Sequence, residues 1–132
     1  MKHNTKLFVD DVRERPDDTW DLAPSFHVAI LDLEVFDYDE VSLDHDLASF
    51  YGTREMTGRD ILNWLIARKI EGKHTPRIVK VHSANPAAWP AMQEDIARYF
   101  SENRQKLRTI GVYHMISSGR KKLVGRVILA GR

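Results

Sequence analysis

The sequence predicts an α/β protein built on a mostly parallel sheet with helices against it, and three observations carry that expectation. Short apolar runs, Leu7-Phe8-Val9, Val41-Ser42-Leu43 and Ile78-Val79-Lys80-Val81, each stop at charged or polar groups. The stretches between them hold apolar residues that recur at helical spacing. Strands alternating with helices favour parallel pairing, because a crossover through a helix brings the chain back in the same direction. In open sheets of this kind a ligand site lies outside the carboxyl ends of the strands.

Lys6 to Asp10 reads as a buried first strand ending in Asp10-Asp11. Val12 to Asp18 is then a polar loop, where Pro16 disfavours helix at Arg15 and no apolar period supports a first helix. Thr19 to Ala23 is read as a brief second strand. Ser25 is a suitable N-cap, and Phe26, Ala29, Ile30 and Leu33 give the following helix, to about Phe36, one buried face. Asp37 to Glu40 breaks that helix and leads into a strand over Val41 to Asp44. Leu47 to Met56 reads as a loop. Thr57 and Asp60 resemble a capping box for a helix that runs to Gly72.

Arg77 to Val81 is the next expected strand. Asn85-Pro86 suits a helix start, although Pro90 moves the regular part to about Ala88, with Trp89, Met92, Ile96, Tyr99 and Phe100 in period. Thr109 to Ile116 and Leu123 to Ala130 read as two further strands, candidates for a hairpin at one edge of the sheet. No repeat or low-complexity tract interrupts the chain, so residues 1–132 are expected to form a single domain.

The absence of cysteine excludes disulfides, a thiolate zinc site and a cysteine nucleophile. No apolar run approaches the roughly 20 residues of a membrane helix, and no signal-peptide core is present, so no membrane partner and a cytoplasmic location are expected. The net charge of +1 hides an asymmetry. After Glu102 there are eight basic residues and no acidic one, which leaves 12 Lys and Arg against 19 Asp and Glu before it, a net of −7. A solvated basic tail accounts for this, and engagement of nucleic acid by the segment from Arg104 onward is the sharper alternative.

Asp10, Asp11, Asp44 and Asp46 carry the strongest chemical signal. One Asp-Asp pair would read as solvated loop, but two acidic strand ends in one small sheet repel each other unless a cation neutralises them. Hard carboxylate oxygens suit Mg²⁺, which commonly shares its shell with a phosphate. His45 and His82 each stand beside a strand end and can carry protons near neutral pH, the role of a general acid or base. Ser83 and Asn85 precede a helix whose free amides favour an anion, and Arg13 has the planar fork that clamps phosphate. Trp20, Trp64 and Trp89 are read as core, with Trp89 near enough to the rim to be weighed as a stacking platform.

These residues together resemble the cyclic-phosphate processing receiver-like domain family, a branch of the receiver (flavodoxin-like) fold. The resemblance runs through Leu7-Phe8-Val9-Asp10-Asp11 with Arg13 and Pro16, Ser42-Leu43-Asp44-His45-Asp46-Leu47, Thr57-Gly58, and His82-Ser83-Ala84-Asn85-Pro86. It implies that Asp10 and Asp11 hold Mg²⁺, that Asp44 takes the phospho-acceptor position and that Ser83 takes the phosphate-sensing hydroxyl position. His45 and His82 are outside the signalling receiver pattern and suggest an enzyme-like branch. Three departures accompany it. No Lys is placed at the end of a fifth strand, Ala48 stands where the family usually has Gly, and Ala87-Ala88-Trp89 replaces a Gly common after Asn-Pro.

The expected function is a Mg²⁺-dependent phosphoesterase acting on a cyclic phosphate, in a nucleotide or at an RNA end. Asp44, His45 and His82 would be catalytic, Arg13, Ser83 and Asn85 would bind substrate, and Asp10, Asp11, Asp44 and Asp46 would bind metal. Two alternatives stand beside it: a regulatory module phosphorylated on Asp44, and a non-catalytic phosphate- or nucleic-acid-binding protein.

Overall fold

Four short strands form a wholly parallel sheet in the order β2-β1-β3-β6, with β1 (Lys6–Val9), β2 (Trp20–Ala23), β3 (Glu40–Leu43) and β6 (Ile78–Val81). The computed structural model describes residues 4–83 and 85–100, and the backbone of strands 109–115 and 121–128. Among the described residues three helices follow the strands: α1 (Phe26–Val35), α2 (Gly58–Ile70) and α3 (Trp89–Tyr99). As expected, β1 and β2 are joined without a helix.

Alternation along the strands sorts the sheet into two faces. Leu7, Val9, Val41, Leu43 and Val79 share one face and join a single buried core with Phe26, Ala29 and Leu33 of α1, Ile61, Leu62 and Leu65 of α2, and Met92 and Ile96 of α3. Each such side chain contributes about 1.5–3 kcal/mol by leaving water, so this layer of helices holds the sheet. Phe8 and Ser42 point to the other face, and both are buried. Phe8 meets the Trp20 ring edge-on.

Local chemistry explains the helix starts. The Ser25 hydroxyl accepts from the Val28 N–H at 3.2 Å, while the buried Ser49 Oγ accepts from the first amide, Phe26 N–H, at 3.0 Å. At α2 the Thr57 N–H donates to Asp60 Oδ2 at 2.8 Å, the acidic half of the expected capping box. Asn85 caps a turn rather than α3 itself. Its Oδ1 accepts from Ala87 N–H at 3.0 Å, and the regular helix begins at Trp89 with Pro90 in its first turn.

Two segments differ from the sequence reading. Leu47 to Met56 is not a plain loop but contains a hairpin, β4 (Ser49–Tyr51) with β5 (Arg54–Met56), closed by Gly52-Thr53. Gly52 has φ +59, the backbone that a tight two-residue turn demands at its first position. The last two strands, β7 (Thr109–Met115) and β8 (Lys121–Ile128), do form an antiparallel hairpin, with an irregularity between Val112 and Tyr113. They make a sheet of their own rather than an edge of the parallel one.

Ala48 has φ +47, the left-handed region in which a Cβ crowds the following carbonyl. Gly at this position removes roughly 1–2 kcal/mol of strain, and the looser unfolded chain takes back part of the gain. Ala48→Gly is therefore expected to raise stability in urea titration by up to about 1 kcal/mol. A lower midpoint for Ala48→Gly would show that this backbone is unstrained.

Candidate metal and phosphate site

Strand register builds the site. Val9 is paired with Ala23 on one side and Leu43 on the other, and Leu43 is paired with Val81. The residues one step beyond three of these ends are Asp10, Asp44 and His82. Backbone bonds continue the ladder to them: Asp44 N–H donates to the Val9 carbonyl at 3.0 Å and His82 N–H to the Leu43 carbonyl at 2.9 Å. The three side chains are thus set in a row at the carboxyl rim, on the Phe8 and Ser42 face.

Asp10 is 1% exposed and holds every oxygen position in a defined bond. Oδ1 accepts from Val12 N–H at 2.9 Å and Arg13 N–H at 2.8 Å. Oδ2 accepts from Arg13 Nη1 and from His82 Nε2, each at 2.9 Å. Burial pushes this carboxyl up, but the Arg13 and Val12 amides, the guanidinium and the imidazole together hold it below its ordinary value. Asp10 is therefore ionised and can only accept.

That fixes the protonation of His82. Its Nε2 must carry the proton given to Asp10, so Nδ1 accepts from the Ser42 hydroxyl, 2.6 Å away. Burial, outweighing the pull of Asp10, keeps the imidazole below its ordinary pKa and so neutral at pH 7. The ring also stacks on Phe8, with centroids 4.2 Å apart and planes 8° from parallel. Ser42 and Phe8 were not among the expected site residues. A lone hydroxyl inside an otherwise apolar strand, two residues before Asp44, is the signal that marks Ser42.

Asp44 is buried and poorly compensated. Its Oδ1 accepts from His45 N–H at 2.9 Å, and Oδ2 lies 3.7 Å from Arg13 Nη1. Burial first, then the charge on Asp10, push its carboxyl up to about 6, against the pull of Arg13 and the His45 amide. Among the described residues, oxygens of Asp10, Asp11 and Asp44 lie within 4.8 Å of one another. Their donor chemistry fits a hard divalent ion, since a buried carboxyl whose charge is disfavoured gains most from one.

Asp46, expected as a fourth ligand, is outside that group. Its Oδ1 pairs instead with His45 Nδ1 at 2.7 Å, on the loop after β3. His45 is likewise directed to Asp46 rather than to the buried acids. In the loop after β6, Ser83 Oγ accepts from Asn85 N–H at 3.1 Å, and Asn85 Oδ1 and carbonyl accept from the next amides. Among the described residues, the Asn85, Ala87, Ala88 and Trp89 amides, expected to be free for an anion, are already engaged within that loop. Trp89 is 6% exposed and packs in the interior, as read.

Gly58 braces Asp44 from behind. A Cβ there would stand 1.8 Å from the Asp44 carbonyl oxygen, and the Gly58 N–H donates to the His45 carbonyl at 2.8 Å. Only glycine lets the start of α2 come this close to the acid-bearing loop.

A four-stranded parallel sheet under helices, with acids gathered at its carboxyl rim, defines a receiver-like α/β domain. The model of the cyclic-phosphate processing receiver domain family matches residues 5–98, and the chain belongs to that family. The match takes in every residue of the site and ends inside α3, so β7 and β8 lie beyond it. No curated protein and no solved structure matches the chain. No helix among the described residues is long and apolar enough to cross a membrane.

Two outcomes follow from this geometry. Gly58→Ala should destabilise the protein by at least about 2 kcal/mol in denaturant titration, the scale of overpacking against backbone that cannot yield. Asp44, with a folded pKa near 6 against an ordinary 3.8, binds its proton more tightly when folded, so its contribution to stability is lost as pH rises from about 4 through 6. Without divalent ions, Asp44→Asn should match the wild type near pH 4 and be more stable by about 2–3 kcal/mol at pH 7.5. Equal melting at both pH values would mean that the Asp44 charge is already compensated.

Proposed function

We propose that the protein is a Mg²⁺-dependent phosphoesterase that opens a cyclic phosphate carried by a nucleotide or an RNA end. The observation behind this reading is the convergence of Asp10, Asp11 and Asp44 beside Arg13 at the rim of a cyclic-phosphate processing receiver domain. Asp10, Asp11 and Asp44 would hold the ion. Bound there, Mg²⁺ supplies neutralisation of the phosphoryl oxygens and a more acidic water.

In the hydrolysis, water adds to phosphorus and one ring P–O bond breaks, leaving an open phosphomonoester. A proton leaves the water, and one reaches the departing oxygen. His45 is suited to this traffic, because Asp46 holds its Nδ1 and so orients the imidazole, as a carboxylate does in many acid–base pairs. His82 serves differently from a free base. With Nδ1 bonded to Ser42 and Nε2 to Asp10, it aims the Asp10 carboxylate, and it exchanges a proton only by letting Asp10 go. The Arg13 fork and the Ser83 hydroxyl proton would hold the phosphate.

A second reading keeps the same acids but makes Asp44 the acceptor of a phosphoryl group, as its position in a receiver-like sheet suggests. The two separate cleanly. Incubation with cyclic nucleotides and with RNA oligomers ending in a cyclic phosphate, in the presence of Mg²⁺, should yield phosphomonoesters, and chelation should stop the reaction. Asp44→Asn and His82→Ala should abolish turnover, and His45→Gln should lower kcat by about 10²–10⁴-fold. Full activity in Asp44→Asn would remove the metal-assisted mechanism. No turnover, together with an acyl-phosphate formed from acetyl phosphate and lost in Asp44→Asn, would establish the regulatory reading instead.

A further inference from the structure

Arg13 occupies a position that the phosphate-clamp role does not explain. Nη1 lies 2.9 Å from Asp10 Oδ2 and 3.7 Å from Asp44 Oδ2, so the guanidinium spans the two buried acids. Both carboxylates are closed to water, with side chains 0% and 7% exposed, whereas the Arg13 side chain is 44% exposed. The backbone beneath it is anchored separately, through the Val12 and Arg13 amides on Asp10 Oδ1. The loop can therefore stay in place while the side chain turns outward.

A magnesium ion lies about 2.0–2.1 Å from its carboxylate oxygens. An ion shared by Asp10 and Asp44 would stand within a few ångströms of Nη1, and two cations that close repel in a partly dry site. The guanidinium also brings a single positive charge to a group of three carboxylates. A divalent ion is the better counter-charge, and a displaced guanidinium needs a new anion.

Building on the metal-site reading above, we propose that Arg13 is an exchangeable counter-ion. It closes the Asp10–Asp44 pair when no divalent ion is held, and it turns out to grip phosphate when one is. Metal and phosphate then bind with mutual help. The ion frees the fork that the phosphate needs, and the phosphate stabilises the turned-out arginine that the ion requires. By linkage the factor is the same in both directions.

The full-length chain tests this with Mg²⁺ and inorganic phosphate as probes, by titration calorimetry. In the wild type, saturating Mg²⁺ should tighten phosphate about tenfold, within the range of ordinary coupling between sites. In Arg13→Gln, Mg²⁺ alone should bind more tightly than in the wild type, and the phosphate coupling should fall several-fold below the wild-type factor, to what the direct attraction of ion and phosphate leaves. Arg13→Lys keeps the charge without the planar fork, so it should keep the weak Mg²⁺ affinity and lose most of the coupling. The Arg13 side-chain N–H resonances should be protected without Mg²⁺ and shift on adding Mg²⁺ without phosphate. Wild-type coupling in Arg13→Gln, or Arg13 resonances indifferent to Mg²⁺, would overturn the exchange while leaving the metal site standing. Wild-type Mg²⁺ affinity in Asp44→Asn would instead remove the metal site, and the exchange with it.

Discussion

Parallel strands hydrogen-bonded in register set every position at the rim. Val9, Leu43 and Val81 stand side by side, so the residues that follow them, Asp10, Asp44 and His82, are neighbours in space although far apart in the chain. A slip of one residue in β3 would turn Asp44 to the helical face and put Leu43 or His45 in its place. The slip is opposed by the helical layer, since it would also withdraw Val41 and Leu43 from a core shared with all three helices. Hydrophobic packing on one side of the sheet thus guards charge placement on the other.

The rim carries two acids in unlike circumstances. Asp10 is buried yet fully bonded, and its charge is comfortable. Asp44 is buried with one amide and a distant guanidinium, and its charge is not. Their difference comes from the loops that leave the strands. The turn after β1 folds back to offer amides and Arg13 to Asp10, whereas the turn after β3 is pressed against Gly58 and offers one amide. The inequality is set by loop geometry: four bonds reach the Asp10 carboxylate, while Asp44 receives a single amide among the described residues.

Much of this was readable beforehand, for reasons that belong to particular residues. Apolar runs ending in Asp10, Asp44 and His82 announce strand ends, and Ser25 and Thr57 announce helix starts through hydroxyl and carboxyl chemistry acting over one turn. What escaped was either short or nonlocal. The β4–β5 hairpin has three-residue strands, too brief for alternation to show, and its one clear mark is Gly52-Thr53 between Tyr51 and Arg54. Asp46 resembled a ligand because it sits two residues from Asp44, but with β3 ended at Leu43 the chain no longer alternates and Asp46 turns to His45. Nothing local ties Ser42 or Phe8 to His82; only the register does.

The Ser42 contact bears on where protons can travel. Ser42 is buried within β3, and its hydroxyl ends the chain of bonds that runs from Asp10 through His82. A hydroxyl walled in by a strand offers no onward path to bulk water, so this relay is a blind alley on that side. A proton passed along these bonds can leave the imidazole only toward Asp10, whose own side chain is closed to water. Traffic along this relay is thereby tied to whatever takes a place among the partners of Asp10, the Arg13 fork included.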